Sequence, residues 1–177
     1  MNPTFWSFLL ILISAVTLSS QNYNRLEMEI VGIDYLVPNA DNLDNAIGVH
    51  SEFRVNLNDR FSVGLSSSFQ FFGELFDESV RSLGITSSLA LNPDVYIFNR
   101  QDQRLFAGLG LGVFDNTETS ESGMELGGNG LGIIPRIGYE WQFIRLTAGY
   151  NYSFKQDFPN YFSLGMGLNF GGRYIGA

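Results

Sequence analysis

Along most of this chain, apolar and polar residues alternate with a period of two. In residues 47–57, Ile47, Val49, Phe53, Val55 and Leu57 share one parity, with Ser51 the exception. Gly48, His50, Glu52, Arg54 and Asn56 share the other. Successive side chains of an extended strand point to opposite sides of a sheet, so this segment predicts a strand with one apolar and one polar face. Residues 61–71 repeat the pattern, with Phe61, Val63, Leu65, Phe69 and Phe71 set against Ser62, Gly64, Ser66, Ser68 and Gln70. Asn58, Asp59 and Arg60 between them predict a tight turn, and the pair reads as a hairpin.

Segments 83–97, 105–113, 133–141, 144–154 and 162–170 read the same way. Pro93 interrupts the first of them and predicts a bulge or the strand's exit from the membrane. In 26–36 the phase slips near Val31 and Gly32, which predicts a bulge. The total is eight strands, each close to the roughly 9–11 residues that a tilted membrane strand needs. After the first twenty residues nothing approaches 18 consecutive apolar residues, so a membrane could be entered only as a closed barrel, whose backbone groups all find partners.

The breaks between strands alternate in length. Residues 58–60, 99–103 and 141–143 are short; 38–45, 73–80, 115–129 and 155–160 are longer. Outer-membrane barrels pair short periplasmic turns with longer extracellular loops, and this phase puts both ends of the barrel on the periplasmic side. Residues 8–18 form an apolar run of signal-peptide length ending in Ser19, Ser20 and Gln21. The expected division is 1–20 as a cleaved signal and 21–177 as the barrel, the alternative for the first segment being a retained anchor.

Composition narrows the chemistry. The 177 residues include no cysteine, which excludes disulfides and thiolate metal sites. Glycine (20) and aromatics (15%) outweigh proline (5), as suits β architecture. A mean hydropathy of +0.04 is too low for a bundle of membrane helices and ordinary for a barrel with a polar interior. The net charge of −8 argues against nucleic acid as a partner, since that needs clustered Lys and Arg. The long breaks hold ten carboxylates, including Asp77, Glu78, Glu118, Glu121 and Glu125, against one clear base, Lys155. They read as an acidic extracellular rim, solvated or able to meet cations or a partner, without the spacing of a calcium loop.

Leu105-Phe106-Ala107-Gly108-Leu109-Gly110-Leu111-Gly112 and the closing 161–170 segment, which ends in Phe170, resemble the OmpA- and OmpX-like eight-stranded outer-membrane barrels of Gram-negative bacteria. The resemblance spans residues 22–170. It implies an all-β, eight-stranded antiparallel up-and-down transmembrane barrel, contact with outer-membrane lipid and lipopolysaccharide, and recognition of the last strand by the barrel-assembly machinery. Phe170 is followed by seven residues, whereas the family's closing aromatic is terminal.

An eight-stranded barrel is filled by its own side chains. Alternation sends Glu27, Glu29, Asp34, Glu52, Asp94 and Glu140 inward with His50, Arg54, Arg136 and Arg145. Buried charges need partners. The lumen polar network expected from these is Glu29, His50, Glu52, Arg54, Arg136, Glu140 and Arg145, and it predicts a plugged barrel. His50 is the chain's one histidine, and Ser51 beside it falls on the opposite face from Glu52, so these neighbours cannot form a hydrolytic triad. No catalytic residue, cofactor or metal site is expected. Aromatics at strand ends predict two girdles: Tyr35, Phe71, Phe72, Tyr152, Phe154, Tyr161 and Phe162 at one end, Phe61, Trp141, Phe143 and Phe170 at the other. Three functions stay open: a structural or interaction barrel, serving envelope integrity or as an accessory subunit of a larger outer-membrane complex; a lipid A-modifying enzyme; and a soluble lipocalin-like carrier of an apolar ligand.

Overall fold

A computed structural model describes residues 25–39, 44–73, 83–100, 102–120, 123–155 and 160–172. Eight antiparallel strands follow one another round a closed barrel: β1 (Leu26–Pro38), β2 (Ala46–Asn56), β3 (Phe61–Gly73), β4 (Leu83–Arg100), β5 (Gln103–Ser120), β6 (Gly123–Trp141), β7 (Ile144–Ser153) and β8 (Tyr161–Gly171). Each pairs with its sequence neighbours, and β1 closes on β8. No edge strand is left open, which is what a sheet needs to sit in lipid. The expected fold class is the observed one. The expected signal segment lies outside the described residues.

The slip in β1 is a bulge. Its register with both β2 and β8 shifts between Glu29 and Gly32. Two consecutive residues, Ile30 and Val31, therefore face outward, and the alternation resumes in phase with Ile33. Pro93 behaves otherwise than expected. It sits inside β4 opposite Val63, and on the other side Leu91–Leu111 and Asp94–Gly108 keep one register across it. Proline removes a single donor, and a ladder bonded on both sides survives that loss. The bulge of β4 comes later, between Tyr96 and Phe98.

The expected long loop over 115–129 is largely a hairpin. Pairing between β5 and β6 continues through Asp115–Asn129 and Asn116–Gly128, shifts register, and runs on through Glu118–Glu125 to Ser120–Gly123. Ladder bonds use only the backbone, so polar residues extend a hairpin as readily as apolar ones. Gly128 lies at a φ of +94°, the left-handed conformation that glycine tolerates, beside the shift. Glu118 and Glu125 are thus strand positions directly opposite each other, not loop residues. Asp77, Glu78 and Glu121 lie outside the described residues. At the other end the turns are short: Asn58 Oδ1 accepts from the N–H groups of Arg60 (2.8 Å) and Phe61 (2.9 Å), closing the β2–β3 connection.

The outside of the barrel is apolar on every strand. Ile33, Val49, Leu65, Leu91, Leu111, Ile137, Leu146 and Leu164 are all exposed. The inside is polar, with Glu27, Glu52, Arg54, Asn92, Asp94, Glu140 and Arg145 nearly inaccessible. This inverts a soluble protein, and a continuous apolar belt of this size belongs in lipid. Exposed aromatics mark both rims, including Phe61, Trp141 and Phe170 at the turn end and Tyr35, Phe71 and Tyr152 at the hairpin end. Phe72 and Tyr161 do not belong to that girdle. Both are buried inside, where they pack edge-to-face at 5.5 Å with Leu36 and Ala46 beside them. Their even-odd phase carries them inward, where two rings fill the mouth of the lumen.

Candidate functional site

The lumen carries the chemistry of this chain. Nearest the turn end, Glu27 on β1 is surrounded by donors. Arg104 pairs with it through both terminal nitrogens, one at 3.0 Å, Asn169 Nδ2 donates at 3.1 Å, and Asn56 also bonds it. Arg54 reaches Glu140 at 2.7 Å and Glu27 at 3.4 Å, while Arg104 also pairs with Glu140. The Tyr96 hydroxyl, 3.3 Å from Asn56, accepts from Arg54 at 3.1 Å.

The next layer is built on Arg136 of β6. Its guanidinium forks onto Glu52 at 2.7 and 2.9 Å and onto Asp94 at 2.6 and 3.0 Å, so one cation bridges β2 and β4 across the barrel. A planar fork meeting two carboxylates is the geometry in which arginine binds most strongly. Arg145 of β7 lies between the layers. It is 3.7–3.8 Å from Glu29, Glu52, Asp94 and Glu140. Beneath these charges lies Phe106, fully buried, with the guanidinium carbons of Arg145, Arg54 and Arg136 at 4.3, 5.1 and 5.6 Å from its centroid. The negative face of the ring receives cations that could not otherwise be stacked so closely.

Toward the hairpin end the charge thins. His50 is held between two carboxylates, Nδ1 at 2.8 Å from Asp34 Oδ2 and Nε2 at 3.1 Å from Glu29 Oε1. Beside it lies a cavity of about 70 Å³ that reaches from Arg136, Glu52 and Glu29 past His50 to Gln70 and Tyr161. The Phe72–Tyr161 pair sits at its outer end.

Glycine makes these layers possible. A Cβ on Gly64 would land on Glu52 Oε1, one on Gly167 on Glu29 Oε1, one on Gly108 on Asp94 Oδ1, and one on Gly138 on the Phe106 ring. Each long side chain lies over a neighbouring strand where no side chain stands.

All seven expected network residues, Glu29, His50, Glu52, Arg54, Arg136, Glu140 and Arg145, meet in the lumen. Sequence reasoning missed Arg104, Tyr96 and Phe106. The signal was present: Arg104 and Phe106 share the parity of the inward Gly108, Gly110 and Gly112, and Tyr96 that of Asn92 and Asp94. Ser51 is on the outer face, where its hydroxyl lies 3.2 Å from that of Ser67 on β3. His50 has both ring nitrogens on carboxylates and no serine.

A polar, side-chain-filled lumen inside an apolar belt defines a transmembrane up-and-down β-barrel. Among solved structures, the fold is similar to that of Neisserial surface protein A (TM-score 0.63, 11% identity, covering 85% of this chain and 97% of that one). It is also similar to the outer membrane protein OprG of Pseudomonas aeruginosa (0.59, 9%, 88% and 99%) and to the N-terminal barrel domain of Pseudomonas aeruginosa OprF (0.54, 13%, 84% and 99%). At these identities the likeness is one of fold. No protein-family model and no curated protein sequence matches the chain.

Proposed function

We propose that this chain is an outer-membrane β-barrel whose lumen is closed by its own ion-pair layers, with a structural or interaction role and no catalytic one. The observation that carries the reading is Arg136 bridging Glu52 and Asp94 across the lumen, stacked with Arg54 and Arg145 on Phe106. Paired charges and an aromatic ring that fill the cross-section leave no continuous path for solutes. The outer membrane is supported by the apolar belt, the aromatic rims and the likeness to the three solved barrels. In this reading both ends of the barrel lie in the periplasm and the β5–β6 hairpin extends outward. Lipid and lipopolysaccharide cover the belt, the assembly machinery reads β8, and a larger outer-membrane complex is a candidate partner.

The test has two parts. The protein is expected in the membrane fraction, with a gel mobility that changes on boiling and a particle size after mild extraction that shows whether it is alone or docked. Reconstituted in a planar bilayer, it is expected to give no steady conductance. Recovery as a soluble protein would instead support an apolar-ligand carrier, and a stable open channel would remove the closed lumen.

A further inference from the structure

The charged groups that wall the lumen cavity answer one another. Glu52 receives the Arg136 fork at 2.7 and 2.9 Å, and His50 stands 2.8 Å from Asp34 and 3.1 Å from Glu29. Such a wall favours an occupant without net charge. Much of its neutral polar surface is also matched. Gln70 Nε2 donates to Ser68 Oγ at 2.6 Å, Ser68 meets Ser88 at 2.6 Å, and Asn151 donates to Ser163 at 3.2 Å.

Among the described residues that line the cavity, three buried atoms have no hydrogen-bond partner in the protein: Gln70 Oε1, Glu29 Oε2 and the hydroxyl of Tyr161. Their residues are 3%, 2% and 1% exposed. Arg145 Nη1 stands 3.8 Å from Glu29 Oε2, beyond hydrogen-bond reach. Buried polar atoms in folded proteins are satisfied by other protein groups or by ordered water, because leaving them bare costs their full desolvation. An amide oxygen and a carboxylate oxygen only accept, whereas a phenol hydroxyl both donates and accepts. The occupant must therefore be a neutral donor.

We infer that this cavity is a binding site for a small cluster of ordered waters, which donate to Gln70 Oε1 and Glu29 Oε2 and bond the Tyr161 hydroxyl. Water is neutral, donates twice and accepts twice. A buried water needs roughly 10–15 Å³ and two to four polar partners. At about 70 Å³ the cavity has room for more than one. The lumen is then divided along its axis. Toward the turn end charges pair directly and stack on Phe106; toward the hairpin end water completes the hydrogen bonding. The division rests on the closed-lumen reading, since an open channel would carry bulk solvent throughout.

Tyr161→Phe removes one hydroxyl and keeps the ring. The refolded variant in detergent, shown to be folded by its boiling-dependent gel shift, is expected to unfold at lower urea than wild type, because a bonded hydroxyl has been lost. An equal or higher midpoint would mean that the hydroxyl is bare and the cavity dry, and it overturns the proposal. Wild-type crystals give a second reading. Ordered water within about 3.2 Å of both Gln70 Oε1 and the Tyr161 hydroxyl is expected. A cavity without solvent density overturns the site, and so does either atom bonded to a protein group instead. Should Tyr161→Phe not fold, the crystals decide. Water density together with a steady conductance in the planar bilayer would uphold the site and overturn only the closed lumen.

Discussion

Arg145 lies 4.3 Å above the centre of the Phe106 ring and touches four carboxylates at 3.7–3.8 Å without a hydrogen bond from its Nε or Nη2. It is held by field and by stacking. Phe106 is therefore a platform for the charge layer as well as filling. Phe106→Leu is expected to keep the fold yet lose about 1–2 kcal/mol from the ring–cation contacts. Phe106→Ala is expected to lose about 3–5 kcal/mol, because it also opens a cavity. Urea unfolding in detergent or lipid, followed by tryptophan fluorescence, measures both. A loss in Phe106→Ala with none in Phe106→Leu would mean that the ring acts by volume alone.

Arg136 holds Glu52 and Asp94 together, so its removal strands two carboxylates. Arg136→Gln is expected to cost about 3–5 kcal/mol. Adding Glu52→Gln is expected to recover part of that loss, because it removes one stranded charge. A double-mutant cycle reads the coupling, and strict additivity would show that the pair is independent.

Gly167 lies under Glu29, where even a Cβ meets the carboxylate. Gly167→Val is expected to displace Glu29 from His50 and to slow or prevent formation of the heat-modifiable band. The neighbouring change Leu168→Val, on the lipid face, is expected to leave that band intact.

Leu111 stands in the middle of the outward apolar run of β5. Leu111→Arg is expected to destabilise the barrel in lipid by about 2–4 kcal/mol, and less in detergent micelles that deform around the charge. The comparison of the two media checks it. An equal cost in both would argue that this face does not meet a bilayer.

The period-two pattern by itself determined the strand number, the faces of each strand and the identity of most lumen charges. Period two is local: once a segment is extended, a residue's parity assigns its side. Thus Glu52 and Arg54 were legible as inward, and the neighbourhood of Val31 and Gly32 as a phase slip. The closed ring of eight strands followed, since lipid tolerates no open edge.

Only the tertiary structure decided which charges meet. Arg136 and Glu52 are 84 positions apart, and their contact depends on register and on glycines that leave room over the neighbouring strand. The same holds for Phe106 among three arginines, and for Phe72 and Tyr161, whose place at strand ends suggested the rim while closure brought them together inside. The β5–β6 hairpin was also illegible, because backbone pairing there is driven by two strands already held in register below it. Composition alone showed only polar residues rich in glycine. Parity gives a side of the sheet; it is the closure and stagger of the barrel that give each residue its neighbour.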